Sequence, residues 1–192
     1  GQLTVAGILK PGNSPGYLAA TNTVTMNAGS TYLQDIAGTA QASSTSPVGA
    51  AGYYSFLNVT TGQFVIQHGT TLTPQLSNLF SVGQSGFGSA IFVPNLGDRF
   101  RIVTAAGGIS GRFTTVTQPA ELAAGTQFLP FYNMAGSNSI DLAVIPTSYQ
   151  ATIASASGNV NAQSVGGALT QLAQASLAGT ATVTQDQLLY AI

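Results

Sequence analysis

Short runs of alternating apolar and polar residues, separated by turns rich in glycine and proline, cover the first three quarters of the chain. Near the start, Leu3, Val5 and Leu9 share one side of such a run, which predicts a strand because successive side chains of a strand point to opposite faces. Residues 9–16, LKPGNSPG, then predict a rigid corner, since proline fixes φ and glycine accepts positive φ. Strand, corner and strand is an arrangement typical of a parallel β-helix.

The same pattern predicts a series of further strands. They are expected at residues 2–9, 21–26, 30–36, 53–59, 63–66, 70–76, 91–93, 99–103, 113–116, 127–133 and 140–144. Two segments without periodicity, residues 38–52 and 78–89, are rich in small residues and predict outward loops. Aromatic residues concentrate between residues 97 and 146. Ordering one segment costs more conformational free energy than the burial of its own side chains supplies, so a segment is stable only when it packs on a neighbour. We therefore expect folding to begin where the aromatic residues are densest.

The pattern changes after Pro146. Residues 147–158 are small and polar and predict a linker, whereas residues 160–178 carry apolar side chains at helical spacing and predict a helix. Thr184, with Gln187 three residues later, predicts the cap of a last short helix. The leucines of the longer helix, Leu169, Leu172 and Leu177, either pack back on the strands or dock on a partner, and the sequence leaves both interpretations open.

Three blocks of sequence carry a family resemblance. The first is residues 1–16, GQLTVAGILKPGNSPG; the second joins GDRFRIV at 97–103, GGISGRF at 107–113 and SIDLAV at 139–144. The third is GNVNAQSVGGAL at 158–169. In this order the blocks resemble the C-terminal part of the passenger domain of bacterial type V autotransporters, and the third is similar to the helical linker that precedes the membrane barrel of that family.

This resemblance implies an all-β fold, a right-handed parallel β-helix (solenoid) over residues 1–146 with a short C-terminal α-helical tail. Residues 97–146 would form an aromatic-rich cap that acts as an autochaperone. Residues 147–192 would be the linker and helical segment in front of an outer-membrane barrel. Entry of the leucine stripe into the pore of this barrel is an alternative to its packing back on the strands, and the sequence leaves both open. The expected partners are this barrel and upstream passenger coils, and the expected location is the bacterial cell surface or outer membrane, or outside the cell after export through the periplasm.

Charged residues are scarce in this chain. Only 5% of its 192 residues are charged, against about 25% in an average soluble domain. No apolar run approaches the roughly 20 residues that a membrane-spanning helix needs, so the composition favours a neutral polar surface. Stacked strands about 4.8 Å apart favour neutral side chains, because repeated charges would lie beside their own copies. A sandwich or jelly roll with little surface charge is the alternative fold.

The composition also excludes several classes of partner and site. With four basic residues and a net charge of −1, the chain lacks the positive surface that nucleic acid or anionic lipid requires. The absence of cysteine excludes disulfides and thiolate metal sites. The first residues of the sequence do not have the pattern of a signal peptide, and the strand pattern is already under way at Gly1, so we expect the chain to be a piece of a longer protein.

Candidate catalytic residues are few. His68 is the only histidine, so any Ser-His-Asp triad must use it, yet no GxSxG segment is present and its place before Gly69 is that of a corner residue. The acidic residues are scattered singly at Asp35, Asp98, Glu121, Asp141 and Asp186. Neither this distribution nor the single histidine suits a metal or a pair of catalytic carboxylates.

Two further motifs have structural interpretations that we prefer. Asp98 and Asp141 could approach each other on adjacent strands, but ion pairs with Arg99, Arg101 or Arg112 are the better interpretation. The glycines Gly107, Gly108 and Gly111 lack the GK[ST] ending and following helix of a phosphate loop, and we interpret them as turn glycines. We therefore predict no catalytic, cofactor-binding or metal site.

The function predicted from the sequence is structural and non-enzymatic: a passenger segment that nucleates folding and assists secretion across the outer membrane. The alternative is an adhesin module whose neutral face and loops 38–52 and 78–89 bind glycans or proteins on host surfaces or other cells. A β-helix enzyme that degrades polysaccharides is less favoured, because paired carboxylates are missing.

Overall fold

The computed structural model of the chain describes residues 1–13, 15–47, 49–77, 85, 90–157 and 159–192. The predicted outward loop at 78–89 lies outside these residues except for Ser85. Ser14 of the first predicted corner and Gly158 of the third sequence block also lie outside them.

Strands occupy the region between residues 3 and 146. They are β1 (Leu3–Val5), β2 (Ile8–Leu9), β3 (Tyr17–Ala20), β4 (Val24–Met26), β5 (Thr31–Ile36), β6 (Ala40–Gln41), β7 (Tyr53–Tyr54), β8 (Phe56–Val59), β9 (Phe64–Ile66), β10 (Thr71–Leu76), β11 (Arg99–Ala105), β12 (Ile109–Ser110), β13 (Thr115–Val116), β14 (Thr126–Tyr132) and β15 (Ser139–Pro146). Most are short, and turns with positive-φ glycines, such as Gly29 and Gly69, separate many of them.

The strands form three sheets that each collect strands from distant parts of the chain. The first has the order β1-β4-β9-β12, and all its pairs are parallel. The second has the order β13-β10-β5-β7-β6, with β2 also on β5, and the third has the order β14-β15-β11-β8-β3. The residues that pair in parallel strands are far apart in sequence, because parallel strands need a long connection. Val24 of β4, for example, pairs with Phe64 of β9.

Two of the sheets contain antiparallel pairs. β15 runs antiparallel to both of its neighbours, β11 and β14, and β7 pairs antiparallel with β5. The turn between β14 and β15 covers residues 133–138 and includes a 3₁₀ turn at Met134–Gly136. Asn133 (φ 54°) and Ala135 (φ 52°) adopt left-handed backbone there, a conformation that few residues other than glycine accept.

Three helices follow the strands. They are α1 (Tyr149–Ser157), α2 (Val160–Leu177) and α3 (Val183–Ala191). The Asn159 side chain accepts the backbone N–H groups of Asn161 and Ala162 at 2.9 and 3.3 Å, which caps α2. α1 and α2 approach closely where Gly166 faces Gln150, since a Cβ at Gly166 would lie 2.8 Å from the Gln150 Cα.

The predicted fold class is wrong. The chain is not an all-β, right-handed parallel β-helix solenoid but a mixed α/β protein with several parallel and mixed sheets and three helices. One reason is the left-handed turn at residues 133–138, which reverses the chain so that β15 pairs antiparallel. The other is the amount of helix after Pro146, which the strand-based prediction treated as a tail.

The helical region also differs from the prediction in detail. The segment predicted as a linker contains α1, because its alanines and glutamine have high helix propensity even without a long apolar stripe. The cap of α3 is Thr182 rather than Thr184. Its hydroxyl accepts the Gln185 N–H at 3.3 Å and its own N–H donates to the Gln185 side chain at 2.8 Å, which is a capping box.

Two apolar clusters form the core, and β15 separates them. The larger cluster lies among the sheets and contains linked aromatic rings. Tyr54 contacts Phe100 and Phe100 contacts Phe128, with ring centroids 5.2 and 6.2 Å apart. The smaller cluster lies between β14, β15 and the helices, and consists of Leu129, Phe131, Met134, Ala143, Ile145, Ala173 and Leu189.

Candidate functional site

The candidate site is built around β15, whose eight residues are all buried, unlike those of any other strand in the described part of the chain. Its alternate residues Ile140, Leu142 and Val144 face the larger cluster, and Ala143 and Ile145 face the smaller one. A strand with apolar residues on both faces must be covered on both sides. Here the sheets cover one side and the helices cover the other, so the helices complete the burial of this strand.

Asp141 is the polar centre of the helix-covered side. The residue is 3% exposed, and its carboxylate accepts hydrogen bonds from Arg101 Nε at 2.8 Å and Arg101 Nη2 at 3.2 Å. Tyr190 Oη of α3 donates to the same carboxylate at 2.6 Å, and Ser139 Oγ lies 3.4 Å from it. Bidentate pairing of this kind is strong and directional, and the hydrogen bond to Asp141 raises the pKa of Arg101.

Tyr190 is held from three directions. Besides its bond to Asp141, its ring meets Phe131 edge-on at 5.2 Å, and the Arg99 guanidinium lies 4.4 Å from its centre. Burial, followed by the hydrogen bond to Asp141, raises the pKa of Tyr190, so the phenol keeps the proton that it donates to a higher pH than an ordinary tyrosine does. Arg99, Arg101, Asp141 and Tyr190 are called the docking cluster below, because they attach α3 to β11 and β15.

A second ion pair attaches the beginning of α3. Asp186 is fully buried and accepts Arg112 Nη2 at 2.6 Å, while the Arg112 guanidinium also lies 5.0 Å from the centre of the Tyr132 ring. Asp186 and Tyr190 are four residues apart and therefore lie on one face of α3, with Leu189 buried between the two attachments. The helix α3 is thus attached by polar contacts at Asp186 and Tyr190, and by apolar packing of Leu189 between them.

The residues that the sequence offered for catalysis do not converge. His68 is exposed and lines a cavity of about 300 Å³ with Arg112 and Gly179. The aspartates are engaged elsewhere: Asp35 pairs with Lys10 at 3.2 Å, and Asp98 accepts the Asn95 N–H at 2.8 Å. Glu121 is exposed.

Two of the three arginines form ion pairs with aspartates. Asp141 pairs with Arg101 and Asp186 with Arg112, whereas the Asp98 carboxylate is used in its own turn. Within the part of the chain that the structure describes, no three His, Asp or Glu side chains gather closely enough to hold a metal ion.

The glycine-rich segment at residues 107–111 is packed tightly against the neighbouring turns. Gly111 has φ 81°, and a Cβ there would lie 2.0 Å from the Ile66 carbonyl oxygen. A Cβ at Gly107 would lie 2.8 Å from the backbone of Gly62. Gly107 and Gly111 therefore permit close passage of adjacent backbone segments.

The leucine stripe of α2 packs back on the strands. Leu169, Leu172 and Leu177 are partly buried against the smaller apolar cluster. The sequence left their role open and did not point to Tyr190 or Asp186. A usable signal was present, because a capping box followed by polar and aromatic residues four apart indicates a short helix with one anchored face.

An apolar cavity of about 240 Å³ lies beside the docking cluster. Its walls include Phe131, Ala143, Ile145 and Leu189, and among the residues that the structure describes Arg99 is the one lining residue with a charged side chain. Arg99 is the one member of the docking cluster that lines this cavity, and it also stacks on Tyr190, so the cavity adjoins the cluster through this side chain.

Comparison with protein-family models, with curated proteins and with solved structures finds no match to this chain. None of the helices among the described residues is both long enough and apolar enough to cross a membrane. The function of the chain is therefore inferred from its own residues and geometry.

Proposed function

We propose that this chain is a non-enzymatic, structural segment of the passenger of a bacterial type V autotransporter, and that its residues 97–146 nucleate folding and thereby assist secretion across the outer membrane. In this proposal the chain acts at the bacterial cell surface, or outside the cell after export. Its partners are its own C-terminal membrane barrel and upstream parts of the passenger. The support comes from the sequence blocks and from the packing of β15.

The observation that carries the proposal is the complete burial of β15 within a hairpin that is local in sequence. β14 and β15 pair over seven positions, and only residues 133–138 separate them. Closing so short a loop costs little entropy. The parallel pairs of the other sheets join residues as distant as Val24 and Phe64, so their formation depends on much larger closures.

The helices fit a role in protecting this nucleus. The ion pairs and the Tyr190 bond hold α3 over the face of β15 that the sheets leave uncovered. Nucleation needs such cover, because a two-stranded hairpin alone is marginally stable in water. A nucleus that forms first outside the membrane would oppose return of the chain into its export channel.

The opposite end of the sheets suits a connection to further passenger residues. β1 and β3 lie at the edges of their sheets and each pairs on one side only among the described strands. Edge strands present unpaired backbone groups to which another strand can add. A preceding segment of the same protein is the partner that this proposal assigns to them.

Folding kinetics test the nucleation step with a matched pair of substitutions. Leu142 in β15 and Leu72 in β10 are both fully buried, so Leu→Ala should destabilise the chain by about 2 to 5 kcal/mol in each case. We expect Leu142→Ala mainly to slow folding and Leu72→Ala mainly to accelerate unfolding, measured by stopped-flow mixing with urea. If Leu142→Ala and Leu72→Ala divided their loss of stability between the folding rate and the unfolding rate in the same proportion, nucleation at β15 would be contradicted.

Surface display tests the secretion step. In the full-length protein we expect Leu142→Asp to leave the passenger on the periplasmic side of the outer membrane or degraded. Leu72→Asp should still permit initial exposure of the passenger at the cell surface. Protease digestion and antibody labelling of intact bacteria measure both. Normal display of the Leu142→Asp variant, with its hairpin unfolded, rules the proposal out.

A further inference from the structure

The cavity beside the docking cluster lies between the ends of the sheet strands and two helices. Ala143 and Ile145 of β15 and Phe131 of β14 form its floor, and Tyr149 of α1 and Leu189 of α3 form its sides. Its volume of about 240 Å³ is below the range of about 300 to 1,000 Å³ typical of sites for drug-sized ligands. The space therefore suits a small ligand.

The mouth of this cavity exposes apolar side chains to solvent. Leu96 is 52% exposed and Ile192 is 61% exposed, and both line the opening. Apolar walls with one or a few polar groups are characteristic of small-molecule sites. The apolar lining indicates that most of the ligand is hydrocarbon.

Among the described residues, Arg99 supplies the only charged side chain of the cavity wall. The chain has four basic side chains, and the other three form ion pairs, Lys10 with Asp35, Arg101 with Asp141 and Arg112 with Asp186. Arg99 is exposed and has no carboxylate within ion-pair distance among the described residues. One face of its guanidinium stacks on Tyr190, which leaves N–H groups at the edge for a ligand.

We propose that this cavity binds the anion of a medium-chain fatty acid, with the hydrocarbon chain in the cavity and the carboxylate on Arg99. A guanidinium matches a carboxylate with two parallel hydrogen bonds. An organic cation would be repelled by Arg99. A sugar would leave most of its hydroxyl groups without partners, because Tyr149 and Thr152 are the only uncharged lining residues, among those described, with polar side chains. A fatty-acid anion satisfies both the apolar walls and the single charge.

The first experiment compares three probes that share a ten-carbon chain. Decanoate, decanol and decyltrimethylammonium are titrated, below their micellar concentrations, into the ¹³C-methyl-labelled chain. We expect decanoate to bind at least about tenfold more tightly than decanol, because it alone adds a charge-assisted hydrogen bond. We expect the ammonium probe to bind most weakly, and the shifts to be confined to methyl groups such as those of Ala143, Leu189 and Ile192, with Val24 as a distant reference.

Substitutions then separate the charge from the cavity. Arg99→Gln should weaken decanoate binding about tenfold and leave decanol binding unchanged. Arg99→Lys should restore only part of the decanoate affinity, because an ammonium group keeps the charge but lacks the two parallel N–H donors of a guanidinium. Thr152→Trp, an exposed position at the cavity wall, should weaken both probes by filling the entrance. Because Arg99 also stacks on Tyr190, near-ultraviolet circular dichroism checks that each variant retains its folded tyrosine environment.

Three results would overturn this inference. They are equal affinity for decanoate and the ammonium probe, decanoate binding that survives Arg99→Gln in the folded variant, and methyl shifts that fall outside the cavity. Since the inference concerns a ligand and not the order of folding, none of these results bears on nucleation by β15.

Discussion

Tyr190 Oη donates a hydrogen bond of 2.6 Å to Asp141 Oδ2. This bond joins the last helix to the strand that lies between the two apolar clusters, and Arg101 occupies the same carboxylate from the other side. Asp141 is buried, so its charge is acceptable only while these partners stay in place. The attachment of α3 and the integrity of β15 are therefore coupled.

The first prediction concerns this buried carboxylate. Arg101→Met should lower the free energy of unfolding by about 1 to 3 kcal/mol, since it leaves the buried Asp141 without its cation, although the Arg101 side chain itself is 46% exposed. Arg99→Met is the matched control, with the same substitution two residues away in β11. It should cost only about 0.5 to 1 kcal/mol, the usual worth of an exposed cation–π contact. Urea unfolding measures both, and equal losses would show that the Arg101 pair contributes little.

The second prediction distinguishes the two possible caps of α3. Thr182→Ala should cost about 1 kcal/mol in the free energy of unfolding, because the capping box is lost. Thr184→Ala, the position that the sequence favoured, lies inside the helix and should change stability by less than about 0.5 kcal/mol. Chemical denaturation of the two variants decides between them, and a larger loss at Thr184 would be incompatible with the observed helix start.

The third prediction isolates the close approach at Gly111. Gly111 and Gly136 both have positive φ, 81° and 74°, but only at Gly111 would a Cβ meet another atom within 4 Å. Gly136→Ala should cost about 1 to 2 kcal/mol for the left-handed backbone. Gly111→Ala should cost about 2 kcal/mol more, because the backbone near Ile66 must move. Thermal unfolding measures the difference, which would vanish if the two turns were equally open.

The fourth prediction concerns alkaline pH. Burial raises the pKa of Tyr32 well above its ordinary value of about 10. Above pH 10 the unfolded chain therefore loses this proton while the folded chain keeps it, so stability is complete below pH 10 and declines as pH rises. Each such tyrosine contributes a slope of about −1.4 kcal/mol per pH unit.

Tyr32→Phe tests that slope directly. The variant should lose about 1 kcal/mol at neutral pH, because the hydrogen bond to the Ile102 carbonyl oxygen disappears. Its free energy of unfolding should fall less steeply than that of the parent chain between pH 10 and 12, by about 1.4 kcal/mol per pH unit. Parallel pH profiles for the two proteins would contradict a raised Tyr32 pKa.

Much of the strand content could be predicted from local pattern. The alternation at residues 140–144 identified the apolar face of β15, and helical spacing placed α2 within a residue of its observed end. The turn glycines at 107–111 were also assigned from sequence, since they lacked the residues of a phosphate loop. These features depend on side-chain periodicity and backbone freedom, which neighbouring residues set.

The sequence by itself determined which segments form strands, which positions carry apolar side chains and where the chain can turn. The direction in which β15 pairs, the helix over its second face and the sharing of Asp141 by Arg101 and Tyr190 were decided by tertiary structure. The physical reason is that alternation is the same for parallel and antiparallel partners. A buried charge likewise acquires its partner only when distant elements pack, and Asp141 and Tyr190 meet only after α3 has folded over β15.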